Sequence, residues 1–320
     1  MIHAYSLENG ASKHLEGEWD GLFPGADSPP AVVWLNLENP TPEECGAVGA
    51  RYGIAPDHLH AALDINERPR VEYEDGVLLV ILRIPISADK QNRVLLRTCP
   101  VAVILQPDLA ITVCLKEHLT ENLLNRKFPG KGPHLAWRLA LTLFLRASAA
   151  FIENLRLMDE HVGHIERTLQ ESMQNQELLR MLHVEKSLIY FLTALKGNHA
   201  VMEKLHGNFP PEENLGEKDL LEDALIENKQ AIDMAEIFMQ ITVSLGDAFG
   251  AIVSNNLNKV MKVLTGLTIV FMVPSIIGAL YGMNVPLPGQ ESPFAFAGLC
   301  GACLGISGAV YWFLRKMRWM

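Results

Sequence analysis

Two long uncharged stretches near the C-terminal end constrain this chain more than any other feature. The first extends from Val263 to Gln290, about 28 residues, and the second from Ser292 to Leu314, about 23; a helix needs roughly 20 apolar residues to cross a bilayer. Hydrocarbon offers no partners to backbone N–H and C=O groups, so each crossing must be helical. Two crossings joined by a short link make a hairpin: first span about 263–281, outer loop 282–292, second span about 293–314. Tyr281-Gly282-Met283-Asn284 stands where the first span leaves the membrane, and Pro286, Pro288 and Gly289 end the helix there.

Charge orients the hairpin. Lys259 and Lys262 precede the first span, Arg315, Lys316 and Arg318 form a basic tail at 315–320, and the loop between the spans has no Lys or Arg. The positive-inside rule then puts both termini in the cytoplasm and the loop outside, in a multi-pass protein of the inner (plasma) membrane. Met1 to Gly10 has no basic segment followed by an apolar one, so no cleaved signal peptide is expected. The formal net charge of −10, with no basic stripe, excludes nucleic acid as a partner. An acidic excess suits attraction of cations.

The region before the spans reads as soluble, with a cytoplasmic α/β domain at 1–130 and a long-helix stalk at 131–256, ahead of the membrane region at 257–320. Ala31 to Leu37 is a strand, closed by Asn39-Pro40. Thr41, Pro42 and Glu44 form a helix start, with Thr41 as N-cap and Glu44 three residues on. Pro56 to Leu63 is a short helix, and Val71 to Glu74, Val77 to Ile84, Val101 to Leu105 and Ala110 to Cys114 are strands. Several lack alternation, as strands do when helices cover both faces. Leu135 to about Leu205 has helical spacing with only Gly163 and Gly197 inside, and the pattern resumes from Glu217 to Leu280. Such a rod needs partners along its length. The fold class is thus an α+β cytoplasmic domain with long stalk helices and a two-helix C-terminal transmembrane hairpin, in a pore-forming oligomer.

The oligomer follows from the first span. Asn258, Met261, Thr265, Thr268, Met272, Ser275 and Ala279 recur at spacings of three and four, so they share one helical stripe. It offers hydroxyls, an amide and thioethers without charge, as the wall of a water-filled path requires. One hairpin cannot enclose a channel, so several first spans must surround an axis. Leu264 adjoins the stripe near its inner end, and rings of Met261 and Leu264 would make a constriction that closes by dewetting.

Gly282-Met283-Asn284 after the first of two C-terminal spans resembles the signature of the CorA-type divalent-cation channels. The approach from Asn258 to Thr265, the segment Arg68-Pro69-Arg70-Val71-Glu72 and the order of regions are similar too. Pro274 follows Met272-Val273, where some members have proline directly after the methionine. The resemblance implies a homopentamer that passes hydrated Mg²⁺, with Co²⁺ and Ni²⁺ also carried, and Gly282, Met283 and Asn284 as the selectivity filter. Mg²⁺ gives up water reluctantly, so acceptor oxygens around its shell serve better than direct carboxylate ligands. The resemblance further implies regulatory Mg²⁺ held between subunits by Asp89, Asp223 and Asp247. Mg²⁺ is then both substrate and regulatory ligand, the partners are the chain itself, the bilayer and divalent cations, and no organic cofactor is expected.

Other chemistries have weak support. Cys45, Cys99, Cys114, Cys300 and Cys303 are odd in number and fit reduced thiols, with Cys300 and Cys303 serving helix packing. His161 and His164 near Glu160 lack the His-Glu-x-x-His spacing of a zinc protease, and His58 and His60 have no evident partners, so no enzyme is expected. Two other readings remain: a ZntB-like proton-coupled Zn²⁺ transporter, and a cytoplasmic scaffold that the hairpin only tethers.

Overall fold

A computed structural model describes residues 1–8, 11–15, 34–74, 76–87, 96–107, 109–116, 119–120, 135–171, 175–207, 215–284, 293–317 and 319. The chain divides into two compact units, Met1–Ser244 and Leu245–Met320.

The first unit is built on seven strands: β1 (Ile2–Glu8), β2 (Ala11–Leu15), β3 (Trp34–Glu38), β4 (Arg70–Glu74), β5 (Val77–Ser87), β6 (Leu96–Gln106) and β7 (Leu109–Cys114). They form one sheet in the order β2-β1-β3-β7-β6-β5-β4. All neighbours are antiparallel except β3 and β7. Helices α1 (Pro42–Tyr52) and α2 (Pro56–His60), with a 3₁₀ turn at Ala61–Leu63, bury Val48, Leu59 and Ala62 with Leu35, Ile81 and Ile104. On the other side, helices α3 (Leu135–Glu171), α4 (Asn175–Gly207) and α5 (Leu215–Tyr281) contribute Phe144, Met202 and Leu221 to a core with Trp34, Val80, Leu82 and Val103. Every residue of β7 is buried, which accounts for its lack of alternation.

Local chemistry sets several boundaries. Thr41 and Glu44 form the expected capping box: Glu44 N donates to Thr41 Oγ1 at 3.2 Å, and Thr41 N donates to Glu44 Oε2 at 2.8 Å. Gly53, at φ 65°, ends α1 in the left-handed conformation that glycine adopts without strain. The helix expected over Pro56–Leu63 tightens into the 3₁₀ turn in its second half. The hairpin of β1 and β2 was not legible in the sequence, and β6 begins five residues earlier than the expected Val101. Pro100, on β6, pairs with Arg83 beyond the end of β7, where the strand needs no donor toward that side.

Several side chains tie helix α4 to the sheet: Ser187 Oγ accepts from Leu96 N at 3.0 Å, Lys204 Nζ donates to Val71 O at 3.2 Å, and Asn198 makes a paired contact with β5. β4 begins at Arg70, opposite Ile81, and so leaves the next outward-facing backbone groups of β5 without a strand partner. The Asn198 amide replaces it: Arg83 N donates to Asn198 Oδ1, and Asn198 Nδ2 donates to Arg83 O, each at 2.8 Å. Beside it, Gly197 lets Pro69 approach so closely that an added Cβ would lie 2.8 Å from Pro69 Cγ.

The second unit contains the end of α5 and α6 (Ala295–Lys316), the two helices among the described residues that are long and apolar enough to cross a membrane. Their less exposed positions recur at helical spacing: Val263, Gly266, Val270, Val273, Pro274 and Ile277 on α5, and Leu299, Cys303, Ser307, Val310 and Leu314 on α6. Ser307 Oγ donates to Val270 O at 3.5 Å, which identifies these as the facing sides.

Candidate functional site

Pro274 lies inside α5 without breaking it. Proline lacks an N–H, so it leaves the carbonyl four residues earlier, that of Val270, without its helical donor. The Ser307 hydroxyl reaches that same carbonyl from α6. A kinked or weakened turn in hydrocarbon is tolerated where a neighbouring side chain takes over the freed group. Sequence reasoning missed Ser307, although a proline in a span signals that such a donor is needed.

Because α6 occupies one side of α5, the opposite side is defined. At 3.6 residues per turn, Asn258, Met261, Leu264, Thr265, Thr268, Met272, Ser275 and Ala279 centre roughly 170° around the helix from the α6-facing positions. All eight are exposed within the single chain, Leu264 and Met272 at 58% each. The expected stripe is therefore continuous and faces away from the hairpin's own second helix.

Its hydroxyls have a defined polarity. Thr268 Oγ1 donates to Leu264 O at 2.9 Å, and Ser275 Oγ donates to Phe271 O at 3.0 Å. A hydroxyl has one proton and two lone pairs, so each proton is committed to the helix and the lone pairs point outward as acceptors. Water bound to a cation directs its hydrogens outward and needs such acceptors.

At the far end of α5, Gly282 N donates to Gly278 O at 3.0 Å and Met283 N to Leu280 O at 3.3 Å, completing the last turn after Tyr281. A Cβ at Gly282 would lie 3.3 Å from Gly278 O, so a larger residue there would push on the terminal carbonyls. Met283 and Asn284 are exposed beyond this turn. Asn284 thus stands just past the helix C-terminus, where carbonyl dipoles concentrate partial negative charge.

The regulatory candidates stand elsewhere. Asp223 and Asp247 are both exposed on α5, nearly seven turns apart, and Asp89 lies outside the described residues. Among the described residues, no three His, Cys, Asp or Glu side chains gather as a metal site. Arg70 of the Arg68–Glu72 segment forms ion pairs with Glu67 and Glu72. Cys303 is among the α6 positions facing α5, whereas Cys300 is exposed; both are free thiols.

Comparison with known proteins agrees with this architecture. The chain is similar to the cobalt/magnesium transport protein CorA of Methanocaldococcus jannaschii, 22% identical across 90% of this chain and 92% of that one. It is equally similar, at 22%, to the zinc transport protein ZntB of Pectobacterium carotovorum, across 100% of this chain and 96% of the other. The complete structure of the CorA magnesium transporter from M. jannaschii covers 100% of this chain and 99% of its own, with a TM-score of 0.82 at 20% identity, a likeness of fold. A family model described as CorA-like Mg²⁺ transporter protein matches residues 30–316, and the chain belongs to that family.

Proposed function

We propose that this chain is the subunit of a homo-oligomeric channel that passes hydrated Mg²⁺ and related divalent cations, Co²⁺ and Ni²⁺ among them. The observation carrying this reading is the uncharged polar stripe on α5, exposed and turned away from α6, which ends at Gly282-Met283-Asn284. If first spans surround an axis with second spans outside them, each stripe faces the axis. Copies of Asn284 then ring the outer mouth with amide oxygens, and the Thr268 and Ser275 lone pairs continue an acceptor-lined path inward. No carboxylate lies along it, so a passing ion keeps its water and is not trapped, and conduction requires exit as much as binding. Met261 and Leu264 narrow the inner end by apolar contact.

In the proposed orientation both termini are cytoplasmic in an inner-membrane protein, because Lys259, Lys262, Arg315 and Lys316 lie at one end of the hairpin. The family resemblance supports five copies. Regulation by cytoplasmic Mg²⁺ would use Asp223, Asp247 and Asp89 between subunits. With no three-residue site among the described residues of one chain, the remaining ligands would have to come from a neighbouring copy or from water.

Equal identity to a ZntB favours a second reading, proton-coupled Zn²⁺ transport. One assay separates the readings. Purified protein in liposomes should take up Mg²⁺ without a pH gradient, and Asn284→Ala should reduce uptake by roughly tenfold or more, the loss of about 1.4 kcal/mol or more of filter interaction. Zn²⁺ uptake that requires a pH gradient would establish the second reading instead, and no flux of either ion would leave a tethered scaffold.

A further inference from the structure

The end of the hairpin remote from Asn284 has chemistry that passage of a cation does not use. The facing positions of α5 and α6 stand level in one antiparallel register, Val263 with Leu314, Val270 with Ser307 and Ile277 with Leu299, aligned by the Ser307 to Val270 hydrogen bond. The same register sets Lys262 level with Arg315. Lys259, Lys262, Arg315 and Lys316 are all exposed, and neither 248–290 nor 292–320 contains a single Asp or Glu. Lys316 Nζ sits 5.2 Å over the Trp312 ring, which is itself 63% exposed. The last turn closes through Met317 N to Phe313 O and Trp319 N to Leu314 O, both at 3.1 Å, so the exposed Trp319 stays at this end.

Direction and depth narrow what this cluster meets. Around α6, Trp312, Arg315 and Lys316 lie on the side away from the α5-facing positions, and around α5 neither lysine falls on the polar stripe. Trp312, Arg315 and Lys316 thus look outward from the hairpin. The 19 residues between Lys262 and Gly282 rise about 28 Å at 1.5 Å each, close to the roughly 30 Å hydrocarbon thickness of a bilayer. Trp312 therefore stands at the edge of the hydrocarbon, with the cations at the depth of lipid phosphates.

We propose that Trp312, Arg315 and Lys316 form a binding site for the phosphate headgroup of an anionic phospholipid in the leaflet at this end. The planar guanidinium of Arg315 can hold two phosphate oxygens at once, and the indole N–H of Trp312 can donate to a third. Lys316, already ordered against the ring, loses less freedom on binding than a free lysine. No Asp or Glu side chain in 292–320 competes for the cations. A zwitterionic headgroup would bring its own ammonium against them, so the site discriminates by charge and not merely by the presence of phosphate. The proposal rests on the hairpin spanning the membrane and is independent of which ion the protein passes.

Native mass spectrometry of the purified full-length protein, offered equal phosphatidylglycerol and phosphatidylcholine, tests it without any flux measurement. The protein should retain phosphatidylglycerol in preference by roughly fivefold or more. R315Q/K316Q should bring the ratio near one, and W312F, which keeps every charge and hence the insertion signal, should give an intermediate ratio. K186Q/K218Q, which removes two exposed cations from the soluble unit, should keep the original ratio. Millimolar inorganic phosphate should displace no lipid. Equal retention of the two lipids by the unaltered protein, an unchanged preference in R315Q/K316Q or in W312F, or displacement by free phosphate would each overturn the proposal.

Discussion

Gly197 and Ser307 show how far single atoms matter in this chain. A methyl group at Gly197 would lie 2.8, 3.2 and 3.3 Å from three atoms of the Pro69 ring, which has no rotamer to relieve the contact. Overpacking of this kind costs about 1–3 kcal/mol, against the gain of up to about 1 kcal/mol for glycine to alanine within a helix. The clash should win. Gly197→Ala is expected to lower the apparent Tm of the full-length protein, whereas Gly163→Ala, with no atom within 4 Å of the added Cβ, should raise it. Ser307→Ala should destabilise the hairpin by about 0.6 kcal/mol, the mean found for polar pairs between membrane helices. That cost should vanish in a Pro274→Ala background, because an alanine N–H at that position restores the helical donor to Val270 O. A double-mutant cycle in unfolding free energy reads the difference, and equal costs in both backgrounds would disprove the pairing.

At the scale of elements, strands covered on both faces explain the behaviour of the thiols. Cys99 on β6, Cys114 on β7 and Cys45 on α1 are buried, whereas Cys300 on α6 is exposed. Burial pushes the Cys45 and Cys99 thiols above their ordinary range, with the carboxylate of Glu44 adding to the effect at Cys45. A raised folded-state pKa means that the native chain holds these protons where the unfolded chain releases them. The associated stability is complete below the ordinary thiol pKa of about 8.5 and is lost as pH rises through the folded values. Unfolding midpoints should therefore fall at alkaline pH, and less so in a Cys45→Ala/Cys99→Ala protein. An alkylating probe on the native protein should leave the buried Cys45, Cys99 and Cys114 unlabelled until denaturant is added. Arg83 belongs to the same sheet and follows the opposite rule: burial lowers its pKa, while Cys99, Asp64 and Glu67 oppose the shift. Its guanidinium is held by the carbonyls of Glu67, Ile65 and Thr98, so it cross-links the loop before β4 to β5 and β6.

For the whole molecule, helix α5 belongs to both compact units, its 67 residues starting among the helices of the first unit and ending at Tyr281. A continuous helix gives a bias applied in the first unit a covalent route into the spanning segment. In the proposed regulation, Mg²⁺ between subunits at Asp223 and Asp89 favours the closed state by binding it more tightly. D89N/D223N is expected to keep liposome uptake high when Mg²⁺ is raised on the side of the soluble unit, where the unaltered protein slows. Mg²⁺ added only to the opposite side should inhibit neither protein. Equal inhibition of both proteins would refute the sensor assignment, and inhibition from the wrong side would refute the orientation.

The two uncharged runs, the helical period of the polar stripe, the capping box at Thr41 and the absence of alternation in β7 were all legible in the sequence, because each depends on residues near in the chain. The membrane hairpin follows from length and charge alone, since backbone groups in hydrocarbon have no alternative to a helix. Other features depend on atoms far apart in sequence: Asn198 standing in for a missing strand at Arg83, Pro69 against Gly197, and Ser307 serving the carbonyl that Pro274 frees. The β1–β2 hairpin is of the same kind, because the short β2, with little apolar content, is held by its pairing with β1, and β1 in turn by its pairing with β3. Periodicity also identified a stripe without saying what it faced. Only the docking of α6 on the other side of α5 decided that, because a helix buries one side against its neighbour and thereby defines which side it leaves open.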